Sequence, residues 1–168
     1  MNEYEQAAID FLNQTGTTLD VTFLKNDFHF HNDKHKRDIY KCTLKRGDRY
    51  YEFQYGQSLL KSAHYQDLIF SDRKYTLSGS CLSGGYKIND IARDPNIKKV
   101  DGIKPSAYDI LSCLTKYNPG SFDDFCGEFG YSSDSITAKK VYDSVIDEYL
   151  HMCVLFNDNE LEKMMEIC

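Results

Sequence analysis

The chain has 168 residues, 41% of them hydrophobic, with ten Phe, thirteen Tyr and no Trp. That is enough for one domain or two tightly associated subdomains, burying roughly 70% of the extended-chain surface. No run of about 18 apolar residues could span a membrane, and the acidic start MNEYEQAAID lacks a charged-then-apolar signal pattern, so a cytoplasmic protein is expected.

The first twelve or so residues after the start read as a helix over 3–14, with Tyr4, Ala8, Phe11 and Leu12 on one face and Gly16 as its stop. Leu19, Val21 and Phe23 then alternate with Asp20, Thr22 and Leu24, the period of a strand. Residues 26–36 are polar and break that pattern. A β-hairpin is expected over 37–55: Tyr40, Cys42 and Leu44 share one face, and Tyr51, Phe53 and Tyr55 alternate with Tyr50, Glu52 and Gln54. Its turn is Lys45-Arg46-Gly47-Asp48, and a tight turn explains the Arg46-Gly47-Asp48 tripeptide better than integrin binding does. Residues 56–104 have no long period, although 75–88 can form a short hairpin through Ser83-Gly84-Gly85. The Gly/Ser-rich run 78–85 lacks the Gly-Lys-Ser/Thr ending of a phosphate loop and reads as a turn.

From Pro105 the pattern turns helical. Ala107, Ile110, Leu111 and Leu114 form an apolar face that ends at Asn118-Pro119-Gly120. Ser121 caps a short helix in the style of a capping box with Asp124, with Phe122, Phe125 and Phe129 inward and Gly130 as stop. Asp134 is the expected cap of the longest helix, whose inward side is Ala138, Val141, Tyr142, Val145, Tyr149, Met152, Cys153 and Phe156. Asn157 or Asp158 starts a last helix with Leu161, Met164 and Met165 inward. The expected fold is α+β: an N-terminal helix and small antiparallel sheet followed by a C-terminal helical bundle. Residues 1–104 form the α+β part and 105–168 the acidic helical part.

Charge is the strongest signal toward partners. The net charge is −6, but residues 25–49 carry eight Lys/Arg against four Asp/Glu, and residues 105–168 carry four Lys against twelve Asp/Glu. Such an asymmetry shapes association through the summed field. The basic stretch contains Lys34, Lys36, Arg37, Lys41, Lys45, Arg46 and Arg49, interleaved with Tyr40, Tyr50 and Tyr51. Cations on phosphates with tyrosines under bases would make a single-strand or RNA surface, for which Lys41, Lys45, Arg46, Arg49 and Tyr51 are the candidates. A solvated sheet face whose lysines deter edge pairing explains the same residues. Several acidic residues sit at helix starts, where the dipole favours them. The remaining excess gives a negative face, for which Asp123, Asp124, Glu128, Asp143, Asp147 and Glu148 are the candidates.

No Ser/His/Asp or Cys/His arrangement is diagnostic of an active site, so a non-enzymatic protein without a cofactor is expected. His29, His31 and Asp33 could meet a metal ion on one side of a strand, but the segment reads as a solvated loop and no metal is assigned. The six cysteines have no paired spacing and read as reduced thiols. His64 and His151 are isolated, His151 being a boundary residue beside an apolar stripe.

The run Pro105 to Tyr117 (PSAYDILSCLTKY), followed by Pro119 to Cys126 (PGSFDDFC) and Glu128 to Tyr131 (EFGY), resembles a family of small proteins carried by bacteriophages and other mobile elements. Asp38 to Gly47 (DIYKCTLKRG) and Phe53 to Gln57 (FQYGQ) look similar too, with 60–100 resembling an insertion. The resemblance covers most of residues 17–57 and 103–168 and brings across no catalytic residue. It implies a phage or prophage setting in a bacterial host cell, and an anti-defence role is expected from that setting together with the acidic helical half. The expected function is stoichiometric binding to a host defence protein or ribonucleoprotein, such as a CRISPR effector, through an acidic nucleic-acid-mimicking face. The alternative is a nucleic-acid-binding module using the hairpin at 34–51.

Overall fold

The structure is a computed structural model that describes residues 2–28, 36–59, 64–69, 75–78, 85–87, 104–115 and 120–167. Helix α1 (Glu3–Thr15) starts where the Asn2 side chain accepts the Glu5 N–H at 2.8 Å, and Glu3 and Glu5 sit at its positive end. Gly16 ends it in the left-handed region (φ 66°), which a Cβ would disfavour. Ala8, Phe11 and Leu12 are buried as expected. Tyr4 is not: it is 54% exposed at the outer end of the helix, leaning on Tyr108 at 5.6 Å between ring centres.

Strands β1 (Thr18–Phe28), β2 (Lys36–Arg46), β3 (Arg49–Leu59), β4 (His64–Ile69), β5 (Tyr75–Ser78) and β6 (Gly85–Lys87) pair antiparallel in sequence order. The alternating residues fix the register: Leu19, Val21 and Phe23 stand opposite Leu44, Cys42 and Tyr40. In the hairpin, Tyr40, Cys42 and Leu44 face Tyr55, Phe53 and Tyr51, all six buried on the inner face. Gly47 turns the chain at φ 65°, so Arg46 pairs with Arg49. Pairing runs further than the polar residues 26–36 led us to expect. A bulge between Phe23 and Lys25 rephases β1, and Asn26, Asp27 and Phe28 pair with Asp38, Arg37 and Lys36. Backbone hydrogen bonds to a neighbouring strand extend a strand without apolar alternation. The short hairpin proposed within 75–88 is present as β5 paired with β6; its connecting residues lie outside those described.

Four helices follow: α2 (Ala107–Leu114), α3 (Phe122–Phe129), α4 (Ile136–Leu155) and α5 (Asp158–Ile167). Ser106 caps α2 in a full capping box with Asp109, so Pro105 lies before the cap rather than in the first turn. Ser121 caps α3 as expected, and Gly130 ends it. The cap of α4 is Ser135, not Asp134. Its hydroxyl accepts the Ala138 N–H at 3.1 Å, while Asp134 belongs to the preceding turn and donates its own N–H to Ser132. Asn157 caps α5 in a reciprocal pair with Glu160, at 2.9 and 3.0 Å. Among the described residues, no helix is long and apolar enough to cross a membrane.

One hydrophobic cluster joins all these layers. It contains Phe11 and Leu12 of α1, the inner hairpin face, Ile110 and Leu114 of α2, and Phe125 of α3. Val141, Val145 and Met152 of α4, with Leu161 and Met164 of α5, complete it. Two side chains of the helical half expected inside lie outside. Met152 and Leu155 take the core side of α4, leaving Cys153 exposed, and Leu161 and Met164 do the same for α5, leaving Met165 exposed. The fold is α+β, as the sequence implies.

Candidate interaction surfaces

The basic hairpin tip meets the acidic helical half inside the molecule. Arg46 leaves the end of β2 and donates from Nη1 to the Leu155 carbonyl and to Glu160 Oε1, both at 2.7 Å. Arg49, at the start of β3, donates to the Val154 carbonyl at 2.8 Å. Both carbonyls belong to the last turn of α4, where the backbone has no helical partner and the dipole is negative. Glu160 Oε1 also accepts the Asn157 N–H, so one carboxylate caps α5 and holds the arginine that ties down the end of α4. The hydrogen bond from Arg46 is the main reason the Glu160 carboxyl titrates below its ordinary 4.5. The same contact holds Arg46 more firmly protonated.

A second contact lies one layer deeper. Tyr51 points inward from β3, stacks on Phe53 at 5.0 Å, and donates its hydroxyl to the Glu148 carboxylate of α4. Glu148 is 1% exposed and Tyr51 3%. A lone carboxylate at such a position would be costly, and the phenol supplies a donor. One turn on, the imidazole of His151 lies nearly parallel to the Tyr51 ring at 5.8 Å, and its Nδ1 sits 2.9 Å from the Asp147 carbonyl.

These placements divide the residues proposed for nucleic-acid contact. Tyr51 is buried and cannot stack on a base, a correction to its assignment. Arg46 and Arg49 are bonded to helical carbonyls. Lys41 and Lys45 point to solvent, Lys41 with Glu52 at 3.5 Å. On the outer face of β1–β3 they share the surface with Asp20 and Glu52, so cations and carboxylates alternate there. The alternation that put Tyr51 in a strand also put it opposite Leu44, on the core face.

The acidic set divides too. Glu148 does not belong to an outward face, and its assignment is corrected: it falls in line with Ala138, Val141, Val145 and Met152, the buried stripe of α4. The helical period carried that signal. Asp143 is exposed but paired with Lys139 at 3.2 Å, the i,i+4 spacing. The Lys139 ammonium also sits over the rings of Phe122 and Tyr142, at 5.3 and 5.1 Å. Asp123, Asp124 and Glu128 on α3, and Asp147 on α4, are exposed and have no ion pair among the described residues. Phe122 and Phe125 lock α3 against Tyr142, whose hydroxyl donates to the Gly120 carbonyl at 2.8 Å. The α3 carboxylates therefore stand on a rigid support.

Of the cysteines, Cys42, Cys113 and Cys126 are buried thiols outside any disulfide, and burial pushes Cys42 up to about 12, so it is inert as a nucleophile. His29, His31 and Asp33 lie outside the described residues, as do Lys34 and most of 60–100. Among the described residues, no group of three or more His, Cys, Asp or Glu could hold a metal ion. No family model matches the chain, and no curated protein or solved structure matches it significantly.

Proposed function

We propose that this protein works by stoichiometric binding, presenting the carboxylates of α3 to a cationic surface of a partner. The observation that carries this reading is the contrast in charge use. Arg46 and Arg49 are committed to internal contacts, whereas Asp123, Asp124 and Glu128 face solvent without ion-pair partners among the described residues. Carboxylates on a rigid helix can occupy a channel that otherwise holds phosphates. The phage-like sequence pattern supports a host defence ribonucleoprotein, of CRISPR-effector type, as the partner whose nucleic-acid site is obstructed. The hairpin reading is weaker, because Tyr51 is buried and Arg46 and Arg49 donate to carbonyls at the end of α4.

The test is displacement. Titrating the protein into such a complex loaded with labelled RNA is expected to release RNA at one-to-one stoichiometry, less so as salt rises. The triple variant Asp123→Lys, Asp124→Lys, Glu128→Lys is expected to lose release while staying folded at the assay temperature, its melting temperature lowered only by the lost first-turn carboxylates of α3. Free RNA is expected to stay unbound in a gel shift. No release at low salt, or equal release by the triple variant, overturns the reading.

A further inference from the structure

We propose that the groove between α1 and α5 is a docking site for a cationic amphipathic helix of a partner protein. It involves neither α3 nor α4 and stands independently of the displacement reading above. The groove is open to solvent along its length and has a volume of about 590 Å³. Its floor is Ala7, Phe11 and Ile167, and its rim carries Glu3, Asp10 and Glu166 against one cation, Lys163. Three carboxylates face one ammonium, and none of the four makes an ion pair among the described residues. Among the described residues, the Gln6 side chain donates to Asp10 Oδ1 at 2.8 Å.

The shape argues for a helix. Glu3, Ala7, Asp10 and Gln14 recur at the i, i+4, i+7, i+11 spacing of a straight seam along α1. Ala7 is small and central, so another helix axis can approach closely there. Tyr4 closes one end of the seam, half its surface in solvent, offering a ring to an apolar or cationic side chain. An occupant complementary to this arrangement carries apolar residues along its centre and Lys or Arg on both flanks. A neutral or acidic helix would leave the three rim carboxylates unpaired or repelled.

The probe is a fluorescein-labelled helical peptide of Leu and Lys, about four turns long, with a Leu/Glu peptide of the same pattern as control. Anisotropy is expected to show binding of the Lys peptide only. Asp10→Lys with Glu166→Lys should weaken it about tenfold. Ala7→Trp, which keeps every charge but fills the floor, should weaken it at least as much. Asp123→Lys with Asp124→Lys should leave it unchanged. Gln14→Trp, on the exposed rim, provides the same steric block should Ala7→Trp melt early. Wild-type affinity in the folded tryptophan variant overturns the proposal, as does equal loss on reversing the α3 charges.

Discussion

The hairpin tip and the outer side of α3 carry opposite charge, and the fold uses them in opposite ways. At the tip, Arg46 and Arg49 reach across to α4 and α5, where unpaired carbonyls and Glu160 receive them. On α3, carboxylates sit over a packed aromatic base and face water. The charge separation of the sequence is therefore partly internal: one segment's cations cap the other segment's helices. What faces water without an ion pair among the described residues includes Asp123, Asp124 and Glu128 of α3.

The largest expected effect distinguishes two neighbouring carboxylates. Glu148→Ala removes the partner of a buried phenol and leaves a void, and should cost about 3 kcal/mol in a urea melt. Asp147→Ala, one residue away and exposed, should change stability by less than about 0.5 kcal/mol. Similar costs at the two positions would erase the distinction between structural and surface acids. Tyr51→Phe should cost about 1–2 kcal/mol, because Glu148 then stays buried with one donor fewer. An unchanged midpoint would show that the phenol is dispensable.

Acid sharpens the comparison further. Glu160 titrates below its ordinary 4.5 in the fold, so the unfolded chain takes up this proton first as pH drops. Its contribution is full above about pH 4.5 and is lost as pH falls through the lowered value. Melting temperatures between pH 6 and 3 should fall less steeply in Glu160→Gln than in the wild type. Parallel curves would mean that Glu160 contributes nothing specific. The smallest effect concerns thiols: alkylation mapped by mass spectrometry should mark exposed Cys153 well before Cys42, Cys113 or Cys126. Equal rates would mean that the core opens freely.

Periodicity made much of this architecture legible. The alternation in 19–23, 40–44 and 51–55 determined strands, facing and register, because a one-residue slip would turn every Tyr and Phe outward. Gly16, Gly47, Ser121 and Gly130 marked turns and ends through conformational and capping preferences. Charge misled where it was read along the chain rather than around each element. Glu148 follows Asp147 in sequence but lies about 100° away on the helix, and Tyr51, flanked by Tyr50 and Glu52, takes the core side of its strand only two residues after Arg49. The Arg46 contact spans more than a hundred residues of chain, so no local pattern announces it. The α1 seam was hidden because its apolar face drew attention away from Glu3, Ala7 and Asp10.

The most direct measurement is a double-mutant cycle on Arg46 and Glu160, using Arg46→Met, Glu160→Gln and the pair in urea melts at neutral pH. A half-buried, shared, charge-assisted contact should give a coupling of about 1–2 kcal/mol, retained at high salt. A coupling below about 0.3 kcal/mol would make it an ordinary surface pair. The Glu160 carboxylate would then contribute nothing to tying the hairpin tip to the helical half.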